Sequence, residues 1–541
     1  MSDSLRLISA ASLLLSISMM PGWAVEPYPP EELISSQEAI VIAVRQRIDG
    51  LPDPRRSGEL KDRAALANFY SHHAGPPLWT TSDGLSPRAL AISAEIQEAD
   101  SWGLDSSEFD LPIHRPTAVG VGQRIDDELK MGLAVLKYAR HATGGRMNPK
   151  DLSLAIDRTP PLADPNIVLT ELSRSADPAG YLRELHPKHE QFQLLRQAFL
   201  DTIEEESRGV DVASLAEERA SKRKSRGNAK IRKKIGPSST VKLSQRLLYN
   251  MEMWRWMPRE LGSKYVWANI PEYKVRVVSR SDVIHEERIV AGKVKNKTPI
   301  FSDEMETIVF HPFWGVPNSI KVKEILPSLR RGGNILRRQN LKISYAGRQI
   351  DPYSVDWSRT DIRNFHVFQP PGRGNALGVV KFMFPNKHAV YMHDTPTKHL
   401  FKKKFRAHSH GCMRVRDPLK LAEVLLGRDK GWQRPRINDI VKRGPKNNHV
   451  ALNDKVPVHV TYFTVQIDRA GQPKLFDDVY GHEKLIQMGF DGKAHLIVNR
   501  KPNLGAEQRR IARGQQPYGA SGGFFGSSQP GSWVQSILGL N

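Results

Sequence analysis

Cysteine is almost absent from this chain, since Cys412 is the only one in 541 residues. A single thiol excludes an internal disulfide, so the sulfur is incidental, a metal ligand, an intermolecular bridge or a nucleophile. The spacings HExxH and paired CxxC, which are typical of zinc sites, are also missing. We therefore expect no metal site, although several histidines lie near Cys412 in the sequence.

Long apolar runs are equally scarce, and the one near the start, Leu7 to Met20, is not followed by another of comparable length. Arg6 precedes this run and a small-x-small pattern, Gly22 to Ala24, follows it, which is the layout of a signal peptide cleaved near Ala24. The alternative is an uncleaved anchor, because about 14 apolar residues are short for a membrane span. Either way, we expect the protein to be exported from the cytoplasm.

Acidic residues are too few to balance the basic ones: 58 Asp and Glu face 80 Lys and Arg, which gives a net charge of +22. In an exported protein, the anionic partners are cell-wall carboxylates or lipid head groups, so we expect no nucleic-acid partner. The excess of basic residues is greatest at 219–234, which contains nine Lys or Arg and no Asp or Glu. Such a run predicts a solvated linker, and the alternative is a tether to the anionic envelope surface.

The chain is too long for one core, and its composition changes several times. Apolar residues spaced by three and four predict a mainly helical domain at 34–200, followed by a charged linker at 201–240. Short alternating runs predict a mainly β, antiparallel domain at 258–485, interrupted by a basic insertion at 318–370 of the kind that forms lids or binding loops. A Gln-, Gly- and Ser-rich tail at 505–541 is expected to be disordered. The predicted fold class is multidomain α+β.

The residues around Cys412 favour a nucleophile. A thiol reacts as the thiolate, and a nearby imidazole can take its proton. His393, nineteen residues earlier, ends an apolar run that predicts a strand, so its ring can face a cysteine on a later loop. His410 is too close in sequence to fold its ring back onto the sulfur, and His399 lies in a Lys-rich stretch that predicts an exposed loop. We therefore assign His393 as the base.

The neighbours of Cys412 also predict local structure. Gly411 allows a sharp turn in which backbone N–H groups approach a reacting carbonyl oxygen, and such donors are often the largest catalytic contribution. Asp417 and Pro418 predict the N-cap and first turn of a helix that runs through Leu426.

The segment Ser409-His410-Gly411-Cys412-Met413-Arg414-Val415, with His393 upstream, closely resembles the catalytic domain of L,D-transpeptidases. The resemblance covers about residues 258 to 485 and includes further matching segments: Asn269 to Tyr273, Val290 to Gly292, Thr298-Pro299, Phe313 to Pro317, Gly374 to Phe382 and Val456 to Thr464.

The helical domain resembles the scaffold domain of the larger Gram-negative members, through Trp102 to Asp105 and Gly145 to Pro149. The chain departs from the family pattern in two places. No copy of the usual small peptidoglycan-binding domain is recognisable, and His311 stands where the pattern usually has asparagine.

The resemblance implies a two-step acyl transfer on peptidoglycan stem peptides in the periplasm, with no metal or organic cofactor. Cys412 would attack the carbonyl of the third residue, a diamino acid, and expel the terminal D-alanine. An amine from a neighbouring stem would then resolve the thioester and form a 3-3 cross-link, with His393 moving the proton in both steps. The insertion at 318–370 resembles a capping insertion that closes over the donor stem.

The resemblance also implies roles for residues around the pair. Backbone N–H groups of Gly411 and Cys412 would hold the oxyanion, and Ser409 and His410 would shape the loop. The backbone carbonyl of Asp394 would orient His393. Arg414 and Asn375 would contact the substrate, although Arg414 could equally buttress the loop.

Three other functions remain open at this stage. The same domain could act as a hydrolase or carboxypeptidase, with water as the acceptor, or could attach the stem peptide to a protein amine. A non-catalytic wall-binding protein is the alternative of a different class, and the retained Cys412 and His393 argue against it.

Overall fold

The computed structural model describes residues 37–52, 57–115, 119–209 and 241–497. The predicted signal peptide 1–24, the basic run 219–234 and the predicted tail 505–541 lie outside the described residues. Within the described ranges, no helix combines the length and apolarity needed to cross a membrane.

The first part of the chain is helical, as its apolar spacing predicts. Its helices are α1 (Gln37–Asp49), α2 (Ser57–His72), α3 (Pro87–Gln97), α4 (Val121–Gly144), α5 (Pro149–Leu152), α6 (Pro165–Arg174), α7 (Pro178–Glu184), α8 (Glu190–Ser207) and α9 (Leu243–Arg255). A short hairpin of β1 (Thr80–Thr81) and β2 (Gly84–Leu85) lies between α2 and α3. The helix α8 extends to Ser207, so the first residues of the predicted linker are helical, because Phe199 and Thr202 continue its buried face.

A repeated pair of residues begins several of these helices. The pair is a serine, asparagine or aspartate followed directly by proline, and the first side chain accepts a hydrogen bond from an N–H of the first helical turn. It occurs at Ser86, Asn148, Asp164, Asp177 and Asp417. Proline tolerates the first helical position because the N–H that it lacks has no partner within the helix there. The helix predicted after Asp417 is thus present, and it continues to Lys430, beyond the predicted end at Leu426.

The second part of the chain is built on strands. They are β3 (Lys264–Asn269), β4 (Lys274–Ser279), β5 (Asp282–Gly292), β6 (Phe301–Phe310), β7 (Trp314–Gly315), β8 (Lys342–Tyr345), β9 (Arg348–Gln349), β10 (His366–Gln369), β11 (Val380–Met383), β12 (Met392–His393), β13 (Ala407–Ser409), β14 (Met413–Val415), β15 (Asn448–Thr461), β16 (Val465–Ile467) and β17 (Pro473–Leu475). The helices that follow the insertion are α13 (Pro418–Lys430), α14 (Arg434–Arg443) and α15 (His482–Phe490).

Nine of these strands form one sheet in the order β13-β5-β14-β12-β11-β6-β15-β3-β4, and an additional pairing of β5 with β4 makes the sheet barrel-like. The prediction of an antiparallel domain is wrong in part, because three pairs are parallel: β12 with β14, β13 with β5 and β15 with β3. Alternating runs predict strands but not their neighbours. Long connections, such as the one between β12 and β14, allow parallel pairing.

The insertion has a small core of its own. Its helical elements are α10 (Asn318–Ile320), a π-helical turn (Lys321–Ile325), α11 (Leu326–Arg330) and α12 (Ile335–Arg338). A four-stranded sheet in the order β7-β10-β8-β9 packs with these helices around buried apolar side chains that include Ile325, Leu336 and Val367. The sequence predicted only a helical piece and a Pro-Gly stretch here.

The helical part and the strand part of the chain are in direct contact. A parallel bridge joins Ile156 to Ile300, and the Arg158 guanidinium donates to the Val460 carbonyl at 2.7 Å. Asp157 pairs with Lys387 at 2.8 Å and lies 2.8 Å from the His388 ring. The main core also includes residues of both parts, so the mainly β domain packs directly on the helices that precede it.

Candidate active site

The register of three neighbouring strands brings the predicted nucleophile and base together. In the parallel pair β12 and β14, His393 lies opposite Arg414, and in the antiparallel pair β11 and β12, Lys381 lies opposite His393. Extending the β12–β14 register by one residue places Cys412 opposite Tyr391. Directly opposed residues point to the same face of a sheet, and so do residues two apart in a strand. Lys381, Tyr391, His393, Cys412 and Arg414 therefore share one face, which we call the nucleophile face.

Side-chain hydrogen bonds hold the loop before Cys412 in place. The Ser409 hydroxyl donates to the Cys412 carbonyl and accepts from the Gly411 N–H at 3.1 Å. Thr298 donates from its hydroxyl to the Gly411 carbonyl at 2.6 Å. Gly411 has φ +132°, a conformation that side-chain-bearing residues rarely adopt. The Gly411 N–H is thus bonded to Ser409 in the free protein, and its role as an oxyanion donor stays a prediction.

The thiol of Cys412 is partly buried. Its hydrogen-bond partner is the Ala389 carbonyl at 3.8 Å, and Ala389 itself has the strained φ of +53°. Burial raises the pKa of the thiol to about 11, while hydrogen bonds from Tyr391 and the positive charges of Arg414 and Lys381 act in the opposite direction. Burial therefore favours the neutral thiol in the free protein, and the assignment of Cys412 as nucleophile stays a prediction.

The imidazole of His393 is buried and is held in one orientation. Its Nδ1 donates to the backbone carbonyl of Asp394, which leaves Nε2 with a lone pair. Burial, together with the positive charge of Arg414, lowers the pKa of His393 to about 3. The ring is thus neutral at physiological pH and can accept a proton. Within the described chain no hydrogen bond joins this ring to the Cys412 sulfur.

The side-chain carboxylate of Asp394 makes different contacts from its backbone carbonyl. It accepts from the Val379 N–H at 2.9 Å and pairs with the Lys398 ammonium at 2.5 Å. A Cβ atom at Gly378, where φ is +61°, would clash with this carboxylate. Asp394 therefore fixes the strand ends around His393, and its backbone carbonyl makes the contact that the resemblance implied.

Arg414 and Asn375, the two residues expected to bind substrate, differ in their surroundings. Arg414 lies on the nucleophile face and donates to the Thr397 hydroxyl at 2.8 Å, while its Nε has no hydrogen-bond partner among the described residues. Asn375 is buried, and its amide donates to three backbone carbonyls, of which that of Pro370 is at 2.9 Å. The substrate contact of Asn375 stays a prediction, since the amide already stabilises the loop before β11.

His410 and His311 have ring partners that are not on the nucleophile face. The His410 ring lies 2.7 Å from the Glu324 carboxylate, so it links the loop before Cys412 to the insertion. His311, which departs from the family pattern, donates from its ring to the Ile440 carbonyl at 3.1 Å. His410 thus contacts the insertion, and His311 contacts α14.

Sequence reasoning missed Lys381 and Tyr391. Lys381 is almost fully buried in a strand of otherwise apolar residues, and burial lowers its pKa to about 8. A lysine that interrupts an apolar strand was a usable signal, and so was a tyrosine two residues before the assigned base. Both surround the sulfur, Tyr391 by hydrogen bonds and Lys381 by its charge.

The described residues contain no group of three or more His, Cys, Asp and Glu side chains that could hold a metal ion. What this arrangement can do chemically is hold a thiol beside a neutral, oriented imidazole among positive charges. Such a face suits nucleophilic attack on an acyl group, followed by proton transfer through the imidazole.

Comparison with known proteins gives two family matches. Residues 64–199 match the scaffold domain, and residues 263–458 match the L,D-transpeptidase catalytic domain. A curated protein of Haemophilus influenzae, whose name gives L,D-transpeptidase as a provisional assignment, is 30% identical over 255 residues. That alignment covers 47% of this chain and 51% of the relative, so the chain spans about half the length of the curated relative it matches.

Two solved structures align with a little over a third of this chain. The L,D-transpeptidase from Mycobacterium smegmatis is 12% identical, with a TM-score of 0.17, and covers 37% of this chain and 58% of its own. L,D-transpeptidase 1 of Mycobacterium tuberculosis is also 12% identical, with a TM-score of 0.16, over 37% and 61% of the two chains. Scores this low do not establish a shared fold.

Proposed function

Because this chain carries the L,D-transpeptidase catalytic domain, with a scaffold domain before it, we propose that it is a peptidoglycan L,D-transpeptidase that forms 3-3 cross-links through a thioester on Cys412. The observation that supports this most directly is the placement of Cys412, directly before β14, beside His393 in the parallel neighbour β12, on one face of the sheet. The His393 ring is neutral, and its Nδ1 is held by the Asp394 carbonyl, so Nε2 is free to act as the base.

In the first step the donor carbonyl lies against the Cys412 sulfur, and the sulfur attacks while its proton passes to His393 Nε2. The negative charge that forms on the carbonyl oxygen is stabilised by the Cys412 N–H, because the Gly411 N–H is already bonded to Ser409. Collapse of this intermediate breaks the bond to the terminal D-alanine, whose amine takes the proton from His393. The product is a thioester on Cys412.

In the second step the amine of a neighbouring stem attacks the thioester carbonyl. His393 accepts the proton of this amine and returns it to the departing sulfur, which restores the thiol and the neutral ring. The leaving and the attacking amine both use His393, so both must approach from its side of the sulfur. No metal or organic cofactor takes part in either step.

The charges on the nucleophile face have a role in the first step. Proton transfer to a ring of low basicity from a thiol of high pKa is uphill in the free protein. Arg414 and Lys381 stabilise the developing thiolate, as their effect on the Cys412 pKa indicates. Exclusion of water by the bound donor strengthens these interactions. The thiolate is therefore formed during the reaction and not before it.

The place of action is part of the proposal. The signal-peptide pattern before Ala24 supports export to the periplasm, where stem peptides provide the donor and the amine acceptor. The basic run 219–234 supports contact with the anionic envelope surface. Both features lie outside the described residues and are argued from sequence alone.

The experiment is incubation of the full chain with a disaccharide-tetrapeptide, followed by mass analysis of the products. The proposal expects a 3-3 linked dimer and released D-alanine from the wild type, and neither from Cys412→Ala. Products trimmed by water would indicate a carboxypeptidase. Activity retained in Cys412→Ala would refute the nucleophile.

A further inference from the structure

A cleft of about 400 Å³ lies between the insertion and the edge of the main sheet. Its walls come from the loop after β5, from β13 and from the first helical turns of the insertion, and His410 stands at its side. Phe405 lines it as well, with about half of its side chain exposed. The cleft therefore adjoins the loop that carries Cys412 but is separate from the nucleophile face.

The charge of this cleft is strongly positive. Lys293, Lys295 and Lys323 line it, all three are exposed, and none makes an ion pair with any residue in the described ranges. Its acidic lining residue, Glu324, already pairs with His410 at 2.7 Å. Three exposed ammonium groups facing one cavity repel each other, and a bound carboxylate would relieve that repulsion.

The position of the cleft relative to His393 indicates which part of a substrate can reach it. The strand order in this part of the sheet is β13-β5-β14-β12. The cleft lies beside β13 and the end of β5, whereas His393 lies in β12, on the other side of β14. Cys412 directly precedes β14. The leaving and attacking amines use the His393 side of the sulfur, so the acyl part of the donor extends in the opposite direction, toward the cleft.

We propose that this cleft binds the carboxylates of the acyl part of the donor peptide, through Lys293, Lys295 and Lys323. The inference rests on the proposed function, because it takes the donor to be an acidic peptide that acylates Cys412. It adds a recognition site for the donor charge, outside the residues that perform the acyl transfer. The Phe405 ring provides an apolar wall for the carbon chains between the carboxylates.

The test combines a change in the protein with a matching change in the donor. Full-length wild type and the variant Lys295→Gln/Lys323→Gln are assayed with a tetrapeptide donor and with the same donor in which the acidic residue before the diamino acid is amidated. The formation of the thioester is monitored by measuring the D-alanine that is released. Lys484→Gln is the control, because Lys484 is equally exposed but lies on α15 and does not line the cleft.

With the acidic donor, we expect KM for the double variant to rise about tenfold while kcat changes less than about twofold, since the lysines bind the ground and transition states alike. Amidation of the donor should raise KM of the wild type by a similar factor. It should raise KM of the double variant by less than about twofold. Lys484→Gln should behave as the wild type does. Equal sensitivity of wild type and variant to amidation would overturn the proposal.

A separate measurement keeps this result apart from the proposed function. Binding of the tetrapeptide to Cys412→Ala, in which no thioester can form, is measured by calorimetry with and without the two lysine substitutions. Loss of affinity with the substitutions supports the cleft even if the wild type forms no cross-links. Unchanged affinity overturns the cleft while leaving acyl transfer by the wild type intact.

Discussion

The nucleophile face and the lysine-lined cleft both carry positive charge near Cys412, but they differ in burial. Lys381 on the nucleophile face is almost fully buried, and its pKa falls to about 8, whereas Lys293, Lys295 and Lys323 in the cleft are exposed. Buried charges act over short distances with little screening by salt, and exposed ones are screened strongly. The face is therefore suited to stabilising a charge that forms during reaction, and the cleft to attracting a charge that the substrate already has.

The two histidines repeat this contrast. His393 is buried, held by a backbone carbonyl and neutral, as a base should be, while His410 is exposed and pairs with Glu324 of the insertion. They are close in sequence to the same cysteine. Their surroundings, and not their distance from Cys412 along the chain, separate a proton carrier from a link between loops.

The largest effect is expected from Cys412→Ala. Removing the sulfur removes the acyl acceptor, so no thioester and no cross-link should form. The family resemblance also implies that carbapenem-type β-lactams acylate Cys412, and this adduct should be absent from the variant as well. Intact-protein mass detects each adduct directly. A carbapenem adduct on Cys412→Ala would assign the nucleophile to another residue.

The pH dependence of thiol alkylation comes next. Because burial raises the Cys412 pKa to about 11, the thiolate fraction of the free protein grows with pH throughout the range below that value. The rate of alkylation by iodoacetamide should rise about tenfold per pH unit, hence about 10³-fold from pH 7 to 10. A plateau near pH 6 to 7 would instead indicate a thiolate–imidazolium pair that exists before substrate binds.

His393→Ala should slow thioester formation at least about a hundredfold, because the other ionisable side chains on the nucleophile face, Lys381, Tyr391 and Arg414, are mainly protonated at neutral pH. His410→Ala is the matched control and should be much milder. The far-ultraviolet circular dichroism of both variants should match that of the wild type. Similar rates for the two variants would contradict the assignment of the base.

Ionic strength should separate the two regions of positive charge. Between about 0.05 and 0.5 M salt, we expect KM for an acidic donor to rise several-fold as the exposed lysines are screened. The alkylation rate of Cys412, which depends on buried charges, should change less than about twofold. If KM and the alkylation rate responded equally to salt, the charges of the nucleophile face and of the cleft would not differ in their screening.

The smallest effect is expected from Glu324→Gln. This change removes the ionic part of the contact between His410 and the insertion, and an exposed pair of this kind contributes little to stability. We expect the melting temperature to stay within about 2 °C and donor affinity to rise slightly, because a competing carboxylate leaves the cleft. Calorimetry on a Cys412→Ala background measures both, and weaker donor binding would contradict this view of Glu324.

Much of the fold was predictable because its signals are local. The apolar spacing of the early helices, the aspartate before Pro418 and the alternating runs after Lys264 each act over a few residues. The parallel pairs were not predictable, because alternation reports which side chains are buried and says nothing about which strand lies beside which. The small sheet in the insertion was missed for a related reason, since its strands are two to four residues long.

The sequence by itself determined the chemistry that this protein can offer: one thiol, a histidine at the end of a strand, a glycine that permits the turn and a basic surface. Only the tertiary structure decided the pKa values of those groups and the side chains that surround them. It placed Lys381 and Tyr391 beside the sulfur, engaged the Gly411 N–H and turned His410 toward Glu324. It also surrounded Cys412 and His393 so that the pKa of the thiol is raised and that of the ring is lowered. The physical reason is that pKa and hydrogen bonding depend on groups brought together by packing, and those groups are distant in the sequence.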